Sequence, residues 1–339
     1  MLKLTLALAL GAASALKHDA AFYEPAFEQW KAKHGVSFHT RDEAAARFGI
    51  WCLKDDEIRA HNEAKSPYKL GHNQFSHLTH DEFAADRKLG VHSTYAKFAT
   101  AFKGFKHSAL RLQRDANATD VPESVDWATQ GAVTPVKDQG QCGSCWAFST
   151  TGSMEGAYFY KNKVLKSFSE QMLVDCDRND EGCNGGLMDN AFDWLQQNGG
   201  ICSEDDYPYS SGLSLATSYC RASCAKVAGT VPTTYTDVKS SDAALMAAVA
   251  QQPVSVAIEA DQASFQSYSS GVLTRACGTS LDHGVLVVGY GTLDGVDYWK
   301  VKNSWGPAWG QEGYILLARG IAQAGGQCGI LSAASYPSL

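Results

Sequence analysis

A chain of 339 residues, 45% hydrophobic and with 31 glycines, is long enough for one small and one large globular domain with ample core. Its net charge of −7 is unevenly spread: residues 16–120 carry 16 basic and 14 acidic side chains, residues 121–339 carry 12 and 22. An acidic second part of that size excludes nucleic acid as its partner.

Met1–Ala15 has one basic residue, Lys3, then an apolar run from Leu4 to Ala13 and the small-x-small series Ala13-Ser14-Ala15. That is the pattern of a secretory signal peptide over residues 1–15, and the run is too short for a membrane span. No later segment is long and apolar enough to cross a bilayer. The leader points to the secretory pathway, ending in a lysosome- or vacuole-like acidic compartment or outside the cell, where disulfides persist. From Phe22 to Asn62 the pattern is helical and charged. Phe48, Trp51, Ile58 and Asn62 recur at spacings of three, seven and four on one helix face. Residues 89–120 are polar and irregular, and they hold the one N-x-S/T sequon, at Asn117. Such a stretch reads as an exposed loop, open to glycosylation and to cleavage.

Beyond Ser144 small residues dominate (Ala147, Ser149, Thr150, Thr151, Gly152, Ser153), which predicts a buried helix with Cys145 near its start. Leu187–Gln197 reads as another helix. Strands are expected at Val254–Ile258, Gly284–Tyr290, Tyr298–Lys302 and Tyr314–Ala318, separated by glycine-rich turns. A helix-rich lobe followed by a strand-rich lobe implies a cleft between them.

Nine of the ten cysteines lie at or after Cys142. In an oxidising compartment eight can pair and one stays free. Zinc is a poor alternative: Cys142-x2-Cys145 has ligand spacing, but no second CxxC or histidine pair follows, and Cys176-x6-Cys183 is too loose. A redox CxxC lacks the surrounding βαβ pattern. Neither metal nor cofactor is expected.

Nine of the ten histidines lie at or before His107, and His283 alone follows. A Cys–His reaction in the acidic part therefore has one possible base. Asn303 comes next, in Lys302-Asn303-Ser304-Trp305-Gly306. Thiol, imidazole and an amide able to orient it form a nucleophilic set.

Gln139-Gly140-Gln141-Cys142-Gly143-Ser144-Cys145-Trp146 contains the C-G-S-C-W signature, and with it the chain resembles the papain family of cysteine proteases, cathepsin L-like branch. The resemblance runs from about Ala26 to Leu339. The interlaced prodomain motif appears as Glu43, Arg47, Trp51, Lys54, Ile58 and Asn62, with Trp51 for Phe and Lys54 for Asn. The next motif reads Gly71, Asn73, Phe75 and His77, where histidine replaces the family's acid. Val121-Pro122-Glu123-Ser124-Val125-Asp126-Trp127 is similar to the family's mature start. The resemblance implies an α+β, papain-like two-lobed fold, with a helical left domain, a β-barrel-like right domain and the active-site cleft between. An α-helical inhibitory prodomain would precede it: signal peptide 1–15, propeptide 16–120, peptidase 121–339.

By the same resemblance, Cys145 is the nucleophile, His283 the acid and base, Asn303 its orienter and Gln139 a donor of the oxyanion hole. A helix start and a neighbouring imidazolium would favour a resting thiolate–imidazolium pair. Trp305 covers the His283–Asn303 bond, and Gly185 and Gly186 pair with the substrate backbone. Leu187, Met188, Ala257, Leu281, Gly284 and Ala333 line the pocket for the second substrate residue. All are apolar or small, which implies a hydrophobic preference there. No histidine-bearing insertion of the cathepsin B kind is present, which implies an endopeptidase. The implied disulfides are Cys142–Cys183, Cys176–Cys220 and Cys277–Cys328, and the two cysteines left over, Cys202 and Cys224, form a fourth. Partners are protein and peptide substrates, the chain's own propeptide and cystatin-type inhibitors; the enzyme is expected to be a monomer. Protonation of the propeptide histidines is expected to loosen that segment in acid, with His77 as the residue to test. A non-catalytic binding homologue would not need the full Gln/Cys/His/Asn set, and a peptide ligase would use the same acyl-enzyme.

Overall fold

The computed structural model describes residues 16–89, 121–214, 217–221, 224–275 and 277–339. The leader and Asn117 lie outside them. Helix α1 (Ala20–His34) begins at Asp19, whose side chain accepts the Phe22 N–H. It stops at Gly35, in the left-handed region at φ 64°. There the carbonyls of a last helical turn are satisfied at no Cβ cost. Helix α2 (Arg41–Glu63) starts anew from Thr40. The continuous helical pattern expected over 22–62 is thus two helices. Their apolar faces share a core of Tyr23, Phe27, Trp30, Trp51 and Cys52.

Strand β1 (Tyr68–Leu70) follows, tied back to α2 by one side chain. Asn62 donates to the Leu70 carbonyl (2.8 Å) and accepts the Leu70 N–H (3.0 Å). Helix α3 (His80–Asp86) opens on a capping box between Thr79 and Glu82.

In the larger part, β2 (Val125–Asp126) precedes α4 (Cys145–Asn162), α5 (Glu170–Cys176) and α6 (Met188–Asn198). Strands β3 (Thr234–Asp237), β4 (Val254–Ile258), β5 (Tyr268–Leu273), β6 (His283–Leu293), β7 (Val296–Lys302), β8 (Tyr314–Ala318) and β9 (Ala334–Ser338) then build one sheet. Its order is β1-β5-β8-β7-β6-β4-β9-β3, with β2 on β6. The lobe expected to be barrel-like is an open path. At its β5 edge prodomain strand β1 is hydrogen-bonded antiparallel.

The small residues of α4 have a packing reason. A Cβ on Gly152 would meet the Leu286 side chain at 2.7 Å, and one on Gly156 would meet Pro253 at 2.4 Å. Ser149 donates to the Val285 carbonyl and Ser153 to that of Pro253. The helix therefore lies close against β4 and β6, which brings the two lobes' functional ends together. Four disulfides join Cys142 to Cys183, Cys176 to Cys220, Cys202 to Cys224 and Cys277 to Cys328. Cys145 and the prodomain's Cys52 are free. Among the described residues no helix is long and apolar enough to cross a membrane, and no cluster of three or more His, Cys, Asp or Glu is arranged to hold a metal.

Candidate active site

His283 is the first residue of β6, and β7 runs antiparallel to it, with Leu286 opposite Lys302. Asn303, one residue past the end of β7, therefore meets His283 at the same end of the sheet. His283 Nε2 lies 2.7 Å from Asn303 Oδ1. The same oxygen accepts the Ser304 N–H at 2.7 Å, so an acceptor faces the ring and Nε2 carries the proton. Trp305 stacks on the imidazole, ring centres 4.8 Å apart at 29°. Nδ1 is left buried and without a hydrogen-bond partner among the described residues.

Cys145 is the first residue of α4. Ser144 in the cap position shares its hydroxyl with Tyr209 (2.7 Å) and leaves the helix start without a side-chain cap. Gly284, next to His283, turns its backbone N–H on the Cys145 thiol. Gln139 is fully buried. Its amide donates to the Cys142 carbonyl at 3.0 Å, and its oxygen accepts the Ser304 hydroxyl at 2.6 Å. That fixes the amide and leaves its second hydrogen for a ligand. Ser304 is a residue the sequence reading missed; its place beside Asn303 is the only hint of it in the chain.

In this covered site burial opposes both halves of the expected ion pair. It pushes the Cys145 thiol up to about 11, against the N–H groups of Gly284 and Trp146, and Asp282 adds repulsion. It pushes the His283 imidazole down to about 4, only partly opposed by the bond to Asn303. His283 is 0% exposed. Exclusion of water disfavours the charged forms of both groups, against the helix-start field.

Five residues of the expected substrate wall pack together. Leu187, Met188, Ala257 and Leu281 share one apolar cluster, with Ala333 packed against it. Gly284 stands opposite Ala257 in the β4–β6 register. Trp305 belongs to the other cluster, alongside Phe75 and Phe83 of the prodomain. Gly185 has φ 119°, which an L side chain rarely adopts. A Cβ on Gly186 would meet the Trp146 indole at 2.6 Å.

The prodomain covers this site. Asn73 Nδ2 donates to the Gln266 carbonyl at 2.6 Å, and Gln74 Nε2 to that of Trp305 at 2.7 Å. Gln266 returns bonds to the Phe75 and Leu78 carbonyls. Phe83 meets Trp305 edge-on at 5.3 Å. Farther along, Arg87 pairs with Asp138 at 3.1 Å, and Asp86 with the Gln141 amide. The segment thus runs from the β5 edge, over the indole, to the Gln139–Cys142 stretch. His77 lies behind it, its ring 5.4 Å from Trp30 and 6.1 Å from Phe38. Arg47 holds the His77 carbonyl (3.2 Å) and the Glu82 carboxylate (2.6 Å).

Comparison with known proteins agrees with this geometry. Residues 121–338 match the description of the papain family cysteine protease, and residues 27–83 that of the cathepsin propeptide inhibitor domain. Germination-specific cysteine protease 1 of Arabidopsis thaliana is 46% identical over 323 residues, covering 91% of this chain and 82% of that protein. Vignain of Ricinus communis is 46% identical over 317 residues, covering 92% and 84%. Among solved structures, a recombinant stem bromelain precursor superposes with a TM-score of 0.82 at 36% identity, covering 93% of this chain and 98% of that one.

Proposed function

The chain belongs to the papain family of cysteine proteases, and from that premise we propose how its own residues divide the reaction. It is a hydrolase made with an inhibitory propeptide, and proteins are its substrates. Our reading assigns residues 1–15 to a signal peptide, 16–120 to the propeptide and 121–339 to the peptidase. Asn117 is the glycosylation acceptor, in the stretch that is cut on maturation. The working form is a monomer in an acidic compartment of the secretory pathway or outside the cell, open to cystatin-type inhibitors.

Cys145 sulfur attacks the scissile carbonyl, and the oxygen takes the negative charge. The Cys145 N–H and the uncommitted Gln139 amide hydrogen receive it. His283, holding on Nδ1 the proton it has taken from the Cys145 thiol, gives it to the departing amine and leaves a thioester. It then takes a proton from the water that hydrolyses this acyl-enzyme. Asn303 keeps the ring in place by accepting Nε2–H throughout. The substrate backbone pairs with Gly185 and Gly186, and its second residue, a Leu, Phe or similar hydrophobe, enters the wall of Leu187, Met188, Ala257, Leu281, Gly284 and Ala333. A buried methylene contributes about 0.8 kcal/mol there, so the preference is graded. The observation that carries this reading is the 2.7 Å His283–Asn303 bond beside a free thiol at a helix start, covered by the chain's own prodomain.

Activation is favoured by acid. Burial lowers the pKa of His72, with Asp55 opposing, of His77, where Arg47 adds to it, and of His34. A ring nitrogen of each is buried without a partner: His72 Nδ1, His77 Nδ1 and His34 Nε2. A base whose folded pKa lies below the unfolded value supports the fold fully above about pH 6.5. That support is lost as pH falls below it, because the unfolded chain takes the protons. Leaving the site also readmits water to Cys145 and His283 and restores the ion pair.

The test is intact mass of the protein before and after acid activation, with and without an epoxide inhibitor of papain-like enzymes, beside hydrolysis of a Phe-Arg reporter. One adduct on Cys145 after activation only, lost in His283→Ala, together with hydrolysis, is the expected result. Labelling with ligation products in place of hydrolysis would move the reading to a transpeptidase, and no adduct on the processed, folded chain would refute it.

A further inference from the structure

The Gly185–Gly186 pair hangs on a loop, residues 177–187, that holds two carboxyl groups away from solvent. Asp177 is 4% exposed. Its Oδ1 accepts the Asn179 N–H at 2.8 Å, while Oδ2 is buried and has no hydrogen-bond partner. Asp180 Oδ1 accepts the Leu187 N–H at 2.9 Å and the Asn190 amide at 3.1 Å. Its Oδ2 is likewise buried without a partner. Asp180 lies within reach of the Asp177 charge. Two buried oxygens without donors, on neighbouring acids of one short loop, are satisfied by one hydrogen between them.

Among the described residues no donor meets either Oδ2. Arg178 and Glu181, on the same loop, are exposed. Helix α6 brings the neutral Asn190 and Asp189, whose Oδ1 accepts the Ser335 hydroxyl. Helix α4 brings the Trp146 indole, which donates to the Gly182 carbonyl at 3.1 Å.

We infer that Asp177 and Asp180 share a single proton, and that this carboxyl–carboxylate bond positions the Gly185–Gly186 segment for an extended substrate. The inference rests on the reading of that glycine pair as the substrate's backbone partner. The coupling is short: Asp180 holds the Leu187 N–H, and a Cβ on Gly186 would lie 2.8 Å from Asp180 Cβ. Removing the proton leaves two like charges in a buried place, and the loop relieves them by moving apart. Burial first, and for Asp180 the charge of Asp177 next, raise the pair's proton affinity above the ordinary carboxylate range. An acid raised in the folded state supports the fold in the acid range, and that support is lost as pH rises toward the raised value. Both aspartates are positioning residues; neither touches the reacting atoms.

The test compares the activated enzyme with Asp180→Asn, measuring kcat and KM for a peptide with an apolar second residue from about pH 5 to about pH 8.5, and thermal unfolding of both with Cys145 alkylated. The amide accepts from Leu187 and donates to Asp177, as a protonated Asp180 does, but cannot lose that proton. Wild-type KM is expected to rise several-fold toward the alkaline end while the KM of Asp180→Asn stays flat, with kcat following the Cys–His pair in both. Wild-type unfolding temperature should fall relative to the variant over the same range. If unfolding differs in this way but KM does not, the shared proton stands and the positioning claim falls, while the substrate role of the glycine pair is untouched. Parallel profiles in both measurements overturn the shared proton itself. Asp177→Asn serves as the second variant if Asp180→Asn does not fold.

Discussion

In the prodomain, residues 16–89, an aromatic core of Tyr23, Phe27, Trp30 and Trp51 is packed with imidazoles, and no disulfide braces it among the described residues. His72 lies flat on Trp51, ring centres 4.0 Å apart. In residues 121–338, which match the papain family, four disulfides tie the chain and the single histidine is His283. Falling pH therefore favours opening of the first region, whose buried imidazoles take protons once released, and has almost no imidazole to charge in the second. The difference teaches where a covalent brace is needed: in the part that must outlast the acid that dismantles its cover.

The largest expected effect comes from Cys145→Ala, which should reduce peptide hydrolysis to background while the zymogen keeps its fold. On that uncut protein, hydrogen exchange read between neutral and acidic pH should quicken in residues 16–89 and stay slow in the peptidase sheet. Simultaneous loosening of both regions would break the comparison. Next, replacing Cys176 and Cys220 by alanine opens a bridge of sequence separation 44 and should cost about 4 kcal/mol in urea unfolding of the mature enzyme. The pH midpoint of propeptide release should not follow it. Gln139→Ala should lower kcat by about 10²–10³, since Gln139 Nε2 has one hydrogen to spare for the reaction, and should also lower the unfolding temperature by orphaning the Cys142 carbonyl and the Ser304 hydroxyl. The smallest effect is the most diagnostic: His77→Phe removes one titrating ring from the Trp30–Phe38 cluster and should lower the midpoint of autoprocessing by a fraction of a pH unit. An unmoved midpoint would take His77 out of the switch.

Much of the site could be read from the chain because its chemistry is local or scarce. Cys145 sits in an uninterrupted motif, His283 is the only imidazole after residue 107, and Asn303 follows in a short run of distinctive residues. The long strands β4, β6, β7 and β8 were visible as apolar segments between glycine turns. What stayed hidden depends on partners far away in sequence. Strand β1 is three residues long, and it exists because Tyr68–Leu70 pairs with β5 some 200 residues later. The break at Gly35 was masked by apolar residues that continue on both sides of it. The upward push on the Cys145 thiol and the downward push on the His283 imidazole follow from burial that no local pattern describes. The Asp177–Asp180 pair reads as two ordinary surface acids until the loop closes them in.

The β1–β5 pairing has one more consequence. In the proform Tyr68 stands opposite Gly271, Lys69 opposite Ser270 and Leu70 opposite Tyr268, so the outer rim of the sheet is capped by its own chain. Maturation strips that cap and leaves Tyr268–Leu273 with a row of open amides and carbonyls, the kind of edge that templates aggregation. Gly271, at φ 79°, lies within that row, opposite Tyr68. The propeptide thus shields an edge of the enzyme as well as its cleft.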